Sequence, residues 1–296
     1  MENHNKLFIP AKRSIYRNIN IRWRKLYNHN KNYTSHLSID GISKIADYYV
    51  FGKSGRDLLN SKKASRTKVL FVNSDLLEKV NYDLFPKLKV IISGNTDRNF
   101  DDAPSFPPNI QLMLLQNCSI ISDKIKPLPI GLENKRTGRY NATKILYANK
   151  SQLIFNPKIL VPPMSETNVF RSLAISRALK LSKYFDVQTQ YLYESEYFSL
   201  IKKYNFLLCV EGNGYDTHRI WESLYLGVFP VMFRTKWSMA LESLKLPILL
   251  IEDMSEISED SLNKFWQANF KFHPTATPQL WLSYWRKLVV NRLADF

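Results

Sequence analysis

Apolar and polar positions alternate along this chain in blocks, and most blocks read as a short buried strand followed by an amphipathic helix. The clearest is Asn205 to Thr235, NFLLCVEGNGYDTHRIWESLYLGVFPVMFRT. FLLCV is an apolar run of strand length, Gly212 and Gly214 mark a turn, and Ile220, Trp221, Leu224 and Tyr225 recur at helical spacing. Asp216 stands where it can cap that helix, Gly227 ends it, and 228–233 is apolar again. One βαβ unit is therefore expected. Its helix N-terminus lies beside the glycine turn, at the carboxyl edge of a parallel sheet, where phosphates bind.

The same rhythm runs to either side. The runs 68–72 (KVLFV) and 88–92 (LKVII) predict buried strands that close in polar clusters, Asn73-Ser74-Asp75 and Ser93-Gly94-Asn95-Thr96-Asp97, and 109–115 and 127–130 predict two more. Further on, strands are expected at 158–161, 187–192 and 246–251, and helices at 168–184, 194–204 and 237–244. A closing helix begins at Thr277-Pro278, with Trp281, Tyr284, Trp285 and Leu288 on one face. Such alternation implies an α/β fold built on mostly parallel sheets. The blocks divide into a basic segment 1–37, an α/β domain 38–150, a second α/β domain 151–277 and the closing helix 278–296. Within the first domain, 52–68 reads as a polar surface loop with room for a short helix, and 135–150 as a basic connecting passage.

Composition adds a sign to this picture. The 296 residues are 45% hydrophobic, enough to fill real cores, and the formal net charge of +16 favours anionic partners: nucleic acid, anionic lipid or a phosphorylated substrate. The alternative is a biased composition that leaves only a solvated basic surface. Residues 1–36 hold eight Lys/Arg against the single acid Glu2, with Phe8, Tyr16, Trp23, Tyr27 and Tyr33 between them. That segment suits an anionic membrane surface, a polyanion, or a helix packed on the body. No apolar run approaches the roughly 20 residues of a spanning helix, and no basic head precedes an apolar signal core, so a cytoplasmic location is expected, with peripheral contact at the inner membrane face.

The chemistry-bearing residue types narrow the field further. Cys118 and Cys209 lie in apolar sequence and read as buried thiols. The histidines 4, 29, 36, 218 and 273 show no paired spacing and there is no DxD triplet, so no metal or other cofactor is expected; Asp101-Asp102 reads as a solvated pair. Neither a Walker-type phosphate loop nor a GxGxxG turn occurs, which removes the usual support for kinase and dinucleotide readings.

The joint pattern Glu211-Gly212-Asn213-Gly214-Tyr215-Asp216-Thr217-His218-Arg219, then Trp221-Glu222-Ser223-Leu224-Tyr225-Leu226-Gly227, then Pro230-Val231, resembles the exostosin-type glycosyltransferases and the exostosin-like bacterial enzymes of surface-polysaccharide (O-antigen or capsule) gene clusters. A weaker resemblance to the acceptor half of the same group lies in Ser93-Gly94-Asn95-Thr96-Asp97, Gln116-Asn117 and Leu128-Pro129-Ile130-Gly131-Leu132-Glu133-Asn134. From first to last these pieces span 93–231, about half of the chain. The resemblance implies a GT-B-like fold, two Rossmann-like α/β domains facing a cleft, and transfer of a hexosyl or pentosyl group from a nucleotide-sugar to a lipid-linked or oligosaccharide acceptor, without metal and with inversion favoured over retention.

Donor binding is then expected at Arg171, Glu211, Gly212, Asn213, Gly214, Asp216, His218, Arg219 and Glu222. The glycines allow close backbone approach, Arg219 and Arg171 neutralise phosphate charge, and Glu222 accepts from ribose hydroxyls. Each has a plainer alternative. Arg219 and Glu222 are spaced as an i,i+3 surface pair, Asp216 as an N-cap, His218 as a solvent-facing residue and Trp221 as core. An inverting reaction needs a base from the first domain, for which Asp97 comes first, Glu133 second and Asp75 third. A retaining reaction needs none. Two rival functions stay open: a nucleic-acid-binding protein built on the charge, and a catalytically silent relative that binds a nucleotide or glycan.

Overall fold

The computed structural model describes residues 36–50, 61–134, 145 and 154–294. The expectations for the basic N-terminal segment, most of the 52–68 loop and the 135–150 passage lie outside the described residues. Both sheets belong to one compact unit, Thr34–Phe296.

The first sheet forms where apolar runs are too short and too uniformly buried for anything but central parallel strands. Its strands are β1 (Tyr48–Val50), β2 (Val69–Asn73), β3 (Val90–Gly94), β4 (Leu112–Leu115) and β5 (Ile125–Pro127), all parallel and laid side by side in chain order. Short helices α1 (Ile39–Ser43) and α2 (Ser61–Ala64) flank β1. Because every step goes the same way, right-handed crossovers all fall on one face. There Leu70, Val72, Ile91, Met113 and Leu115 pack under Leu76, Leu77, Phe85, Leu88 and Ile110 of the connecting segments. The opposite face, with Phe71, Ile92 and Leu114, needs another cover.

That cover comes from α1 and from the end of the chain. Helix α8 (Leu282–Ala294) buries Leu282, Trp285 and Val289 against it. A Cβ on Gly41 would stand 2.5 Å from Leu282 Cδ1, so the glycine permits the close approach of the two helices. The closing helix thus returns to the first sheet.

The second sheet contains β6 (Ile159–Val161), β7 (Phe185–Val187), β8 (Phe206–Leu208), β9 (Phe229–Phe233) and β10 (Leu249–Ile251), again all parallel but ordered β7-β6-β8-β9-β10. The chain first steps from β6 to β7 through α3 (Val169–Lys180), then crosses back through α4 (Glu194–Ile201) to β8 on the other side of β6. From there α5 (His218–Tyr225) and α6 (Lys236–Glu242) carry it outward, and α7 (Glu259–Asn269) follows β10. The reversal puts helices on both faces. Ala174, Ala178 and Leu262 cover one; Phe198, Trp221, Leu224, Trp237 and Leu241 cover the other. The latter core is continuous with the α1–α8 face of the first sheet. Tyr225 fastens this junction: its hydroxyl accepts from Leu37 N–H at 2.8 Å and donates to the Leu280 carbonyl.

β4 and β10 begin three residues later than expected, at Leu112 and Leu249, and two further strands are displaced. β5 ends at Pro127 because the chain then leaves the sheet; Gly131, at φ +70°, turns it so that Leu132 N–H reaches the Leu37 carbonyl. β7 lies earlier than 187–192, since after Gln188 pairs with Val161 the backbone runs to the surface, where Tyr191 and Tyr193 are exposed. β1 and α7 were not anticipated. No helix among the described residues is long and apolar enough to cross a membrane.

Candidate functional site

Strand order singles out one place. In an open parallel sheet, a crevice opens at the carboxyl ends of the two strands where the order reverses. Here those strands are β6 and β8. The segments leaving them, 162–168 and 209–217, lead into α3 and α5, each of which has an arginine in its first turn.

Arg171 sits in the first turn of α3, whose N-cap Asn168 also donates from Nδ2 to the Gly212 carbonyl at 3.0 Å. Arg171 as a whole is 7% exposed. Nε donates to the Glu211 carbonyl at 2.9 Å, and Nη1 donates to the Ser165 carbonyl, Ser165 Oγ and Thr167 Oγ1 at 2.9–3.1 Å. Arg219, in the first turn of α5, donates from Nη2 to the Pro163 carbonyl at 3.0 Å and from Nε to Tyr197 Oη at 3.4 Å. Neither guanidinium makes an ion pair with a carboxylate among the described residues. Burial, and then the nearby Arg219 charge, hold Arg171 below its ordinary pKa. For Arg219 burial opposes the charge, but Tyr197, Cys209 and Glu222 outweigh it and raise the pKa. Two neighbouring buried cations without a bonded counterion make a strong local demand for an anion.

Glu222 is 6% exposed and accepts from Tyr197 Oη at 3.2 Å, so Tyr197 stands between Arg219 and Glu222. The i,i+3 pair expected from spacing is therefore mediated by a third side chain from α4. Burial, then Glu222, raises the Tyr197 pKa and keeps the phenol neutral. Glu211 lies at the mouth of the same loop, reached by Thr235 Oγ1 at 3.4 Å, with its pKa raised by burial and by Asp101.

The remaining donor candidates face the first sheet. Asp216 is 7% exposed, and the helix N-cap is Thr217 rather than Asp216. Its carboxylate accepts from Ile130 N–H and from Trp221 Nε1, each at 2.7 Å, while its own N–H donates to Asn117 Oδ1 at 2.7 Å. Burial lifts its pKa to about 7. Trp221 is core, fully buried. His218 does not face solvent alone: Nδ1 donates to the Gly131 carbonyl at 2.7 Å, and Nε2 lies 3.6 Å from Glu133 Oε1.

Gly212 and Gly214 lie outside the left-handed region, so space rather than backbone freedom is what they supply. A Cβ on Gly214 would come within 2.7 Å of Asn117 Nδ2, and one on Gly212 within 2.9 Å of Arg171 Nη2. Asn213 is exposed and donates weakly to Asp97 Oδ2 at 3.4 Å.

Of the candidate bases, Asp97 is exposed beyond β3 and meets Asn213 across the gap, Glu133 is buried against His218 with Asn134 N–H on Oε1, and Asp75 is exposed beyond β2. Asp101 is more than a solvated acid, since it accepts from Tyr215 Oη and Ser119 Oγ. Both cysteines are free and buried. Among the described residues no group of three or more His, Cys, Asp or Glu could hold a metal ion.

Sequence reasoning passed over Tyr197 and gave no role to Tyr215 and Thr217, though both stand in the joint pattern. Tyr197 lies 22 residues from Arg219, and only the packing of α4 beside α5 brings them together. Tyr215 stacks on Trp237 at a centroid distance of 6.2 Å while bonding Asp101 of the first sheet. No protein-family model matches the chain, and neither does any curated protein.

Proposed function

We propose that this protein is a glycosyltransferase of GT-B type that moves a hexosyl or pentosyl group from a nucleotide-sugar to a glycan acceptor, lipid-linked or oligosaccharide, in surface-polysaccharide synthesis at the cytoplasmic side of a membrane. One observation carries the reading: Arg171 and Arg219, without carboxylate partners among the described residues, neighbour each other at the β6/β8 reversal, Arg219 in the first turn of α5. A nucleoside diphosphate offers the charge and the oxygen atoms that this arrangement lacks.

In the reaction the bond between the sugar's anomeric carbon and the β-phosphate oxygen breaks, and its electron pair leaves on the diphosphate. Arg219 and the free N–H groups of α5 stabilise that developing charge. The acceptor oxygen forms the new bond and its proton passes to a carboxylate of the first sheet's rim, for which Asp97, the exposed candidate, comes before Glu133. Glu222, held by Tyr197, orients the ribose.

The test is a thermal-shift panel of UDP, GDP, CDP, dTDP and CMP, with and without divalent metal, on wild type, Arg219→Ala and Glu222→Ala. A nucleotide at ~100 times its Kd stabilises by about 2.7 kcal/mol, several degrees in Tm at this chain length. One nucleoside diphosphate should do so without metal, and Arg219→Ala should remove the shift. Indifference of the wild type to every nucleotide would sink the reading.

A further inference from the structure

Helix α3 is amphipathic the wrong way round. Toward the protein it buries Arg171, Ala174 and Ala178, while its large apolar residues Val169, Phe170, Leu173 and Leu179 face out. A surface helix ordinarily turns its apolar stripe to the core. Tyr191 and Tyr193, in the segment between β7 and α4, extend the exposed set, their rings edge to face at 5.8 Å. These six side chains are 54–82% exposed, and among the described residues no other large apolar side chain except Ile154 is as exposed as any of them.

Topology gathers them. β6 and β7 are parallel neighbours, so the first turn of α3, which follows β6, and the segment leaving β7 emerge at the same carboxyl edge. Single exposed apolar residues need no explanation, whereas a grouped set marks a surface that something covers.

The charges beside the patch select the cover. From Thr167 to Phe185 the chain has no acid, and Arg177, Lys180 and Lys183 are exposed along the second half of α3 and just past its end. Arg177 is paired with Asp253. Of the bordering acids, Asp186 accepts from Tyr204 Oη, Glu196 accepts from the Tyr193 N–H at 2.9 Å, Glu194 is half-buried and Glu166 is exposed. The chain as a whole carries a formal net charge of +16. Exposed Phe, Leu and Tyr beside Lys suit the headgroup level of an anionic bilayer, where rings and aliphatic chains enter the interface and ammonium groups stay with the lipid phosphates. A second copy of this chain fits less well, because a two-fold contact through α3 would bring two acid-free basic helices together.

We infer that the outer face of α3, with Tyr191 and Tyr193, docks on an anionic lipid bilayer. The inference specifies the membrane contact in the reading above and rests on that reading for its consequence: docking brings the carboxyl edge that bears Arg171 and Arg219 to the surface where a lipid-linked acceptor is held. The docking itself needs no nucleotide.

The test is co-sedimentation of the full chain, without nucleotide, with vesicles of phosphatidylcholine alone and of phosphatidylcholine and phosphatidylglycerol in about equal parts. Wild type should bind the anionic vesicles and leave the neutral ones. Phe170→Asp with Tyr191→Asp should bind about tenfold more weakly, and so should Lys180→Glu with Lys183→Glu. Because all four side chains are exposed, Tm should hold in both variants. A position-specific readout keeps the wild-type surface otherwise intact: an environment-sensitive fluorophore on Leu173→Cys should shift to the blue with anionic vesicles, and one on Val290→Cys of α8 should not. Cys118 and Cys209 are buried and do not compete for the label. A wild type that ignores anionic vesicles overturns the inference. So does undiminished binding by the Asp variant with an unshifted label at 173, which would move the contact to another surface such as the basic segment 1–37. A wild-type dimer in light scattering that the Asp variant converts to monomer, with vesicle binding unchanged, overturns it in favour of a second copy. Each of these results is independent of nucleotide binding, so failure of the docking face and failure of the donor reading are told apart.

Discussion

At the carboxyl rim of the first sheet the polar side chains are occupied with protein. Gln116 Oε1 receives Asn95 N–H at 2.8 Å, Asn117 receives Asp216 N–H and donates to the Thr96 carbonyl, and Asp101 receives Tyr215 Oη. Asn95 and Asn117 adopt positive φ, 71° and 53°, which asparagine tolerates better than most residues. At the rim of the second sheet two guanidiniums have capacity left over. Strand order accounts for the difference: the first sheet steps one way throughout and the second reverses between β6 and β8. Polar clusters at strand ends are thus not equivalent. One rim holds the segment 213–218 in place, and the other has the spare capacity on which the proposed donor site rests.

The sharpest way to break this comparison is at Asp216. Asp216→Ala would leave the Ile130 N–H and the Trp221 Nε1–H without their acceptor, two buried donors at once. A loss of about 3 kcal/mol is expected, read as a lower urea midpoint. The pH dependence carries the same signature. With a folded pKa of about 7 against an ordinary 3.8, the folded protein keeps a proton that the unfolded chain has released. The contribution of Asp216 to stability is therefore greatest below the unfolded value and is lost as pH rises toward 7. In Asp216→Asn, which cannot titrate, stability should fall less between pH 4 and 7 than in wild type. Equal slopes would remove Asp216 from the account.

Next come the two glycines, which the comparison separates. Gly214→Ala drives a methyl into Asn117, whose amide is pinned by Thr96 and Asp216, so about 1–3 kcal/mol of stability should go. Gly212→Ala displaces Arg171 Nη2 instead, and there the expected effect is a roughly tenfold loss of diphosphate affinity with a smaller change in stability. If the two variants exchanged effects, the division between a holding rim and a binding rim would not stand.

How much of this was legible beforehand follows from which interactions are local. β2, β3, β8 and β9 announce themselves because parallel strands buried on both faces must be continuously apolar, and α3 begins at Asn168, a capping residue. β1, only Tyr48–Val50 at a sheet edge, lies in a run of just four apolar residues, Tyr48 to Phe51, and α7 is signalled mainly by the Ser258 cap. In the site, the glycine turn with Arg219 could be read from spacing. Asp216 could not: its type and place suit a cap, and its acceptors' use depends on Ile130, 86 residues away. Tyr197 and Asn117 were hidden for the same reason, since a cross-element partner leaves no periodic trace.

The smallest expected effect is at Asp97, and it is the most informative about chemistry. Its carboxylate is exposed, and among the described residues its one cross-rim hydrogen bond is with Asn213 at 3.4 Å, weak and open to water. Asp97→Ala should change stability by no more than about 0.5 kcal/mol. Diphosphate affinity should also hold within about twofold, because Asp97 touches neither arginine. Those two null results give the third measurement its meaning. With folding and donor binding intact, loss of sugar transfer in Asp97→Ala assigns proton removal to the first sheet's rim, whereas retained transfer moves that role to Glu133, where the His218 contact at 3.6 Å would have to open for an acceptor to enter.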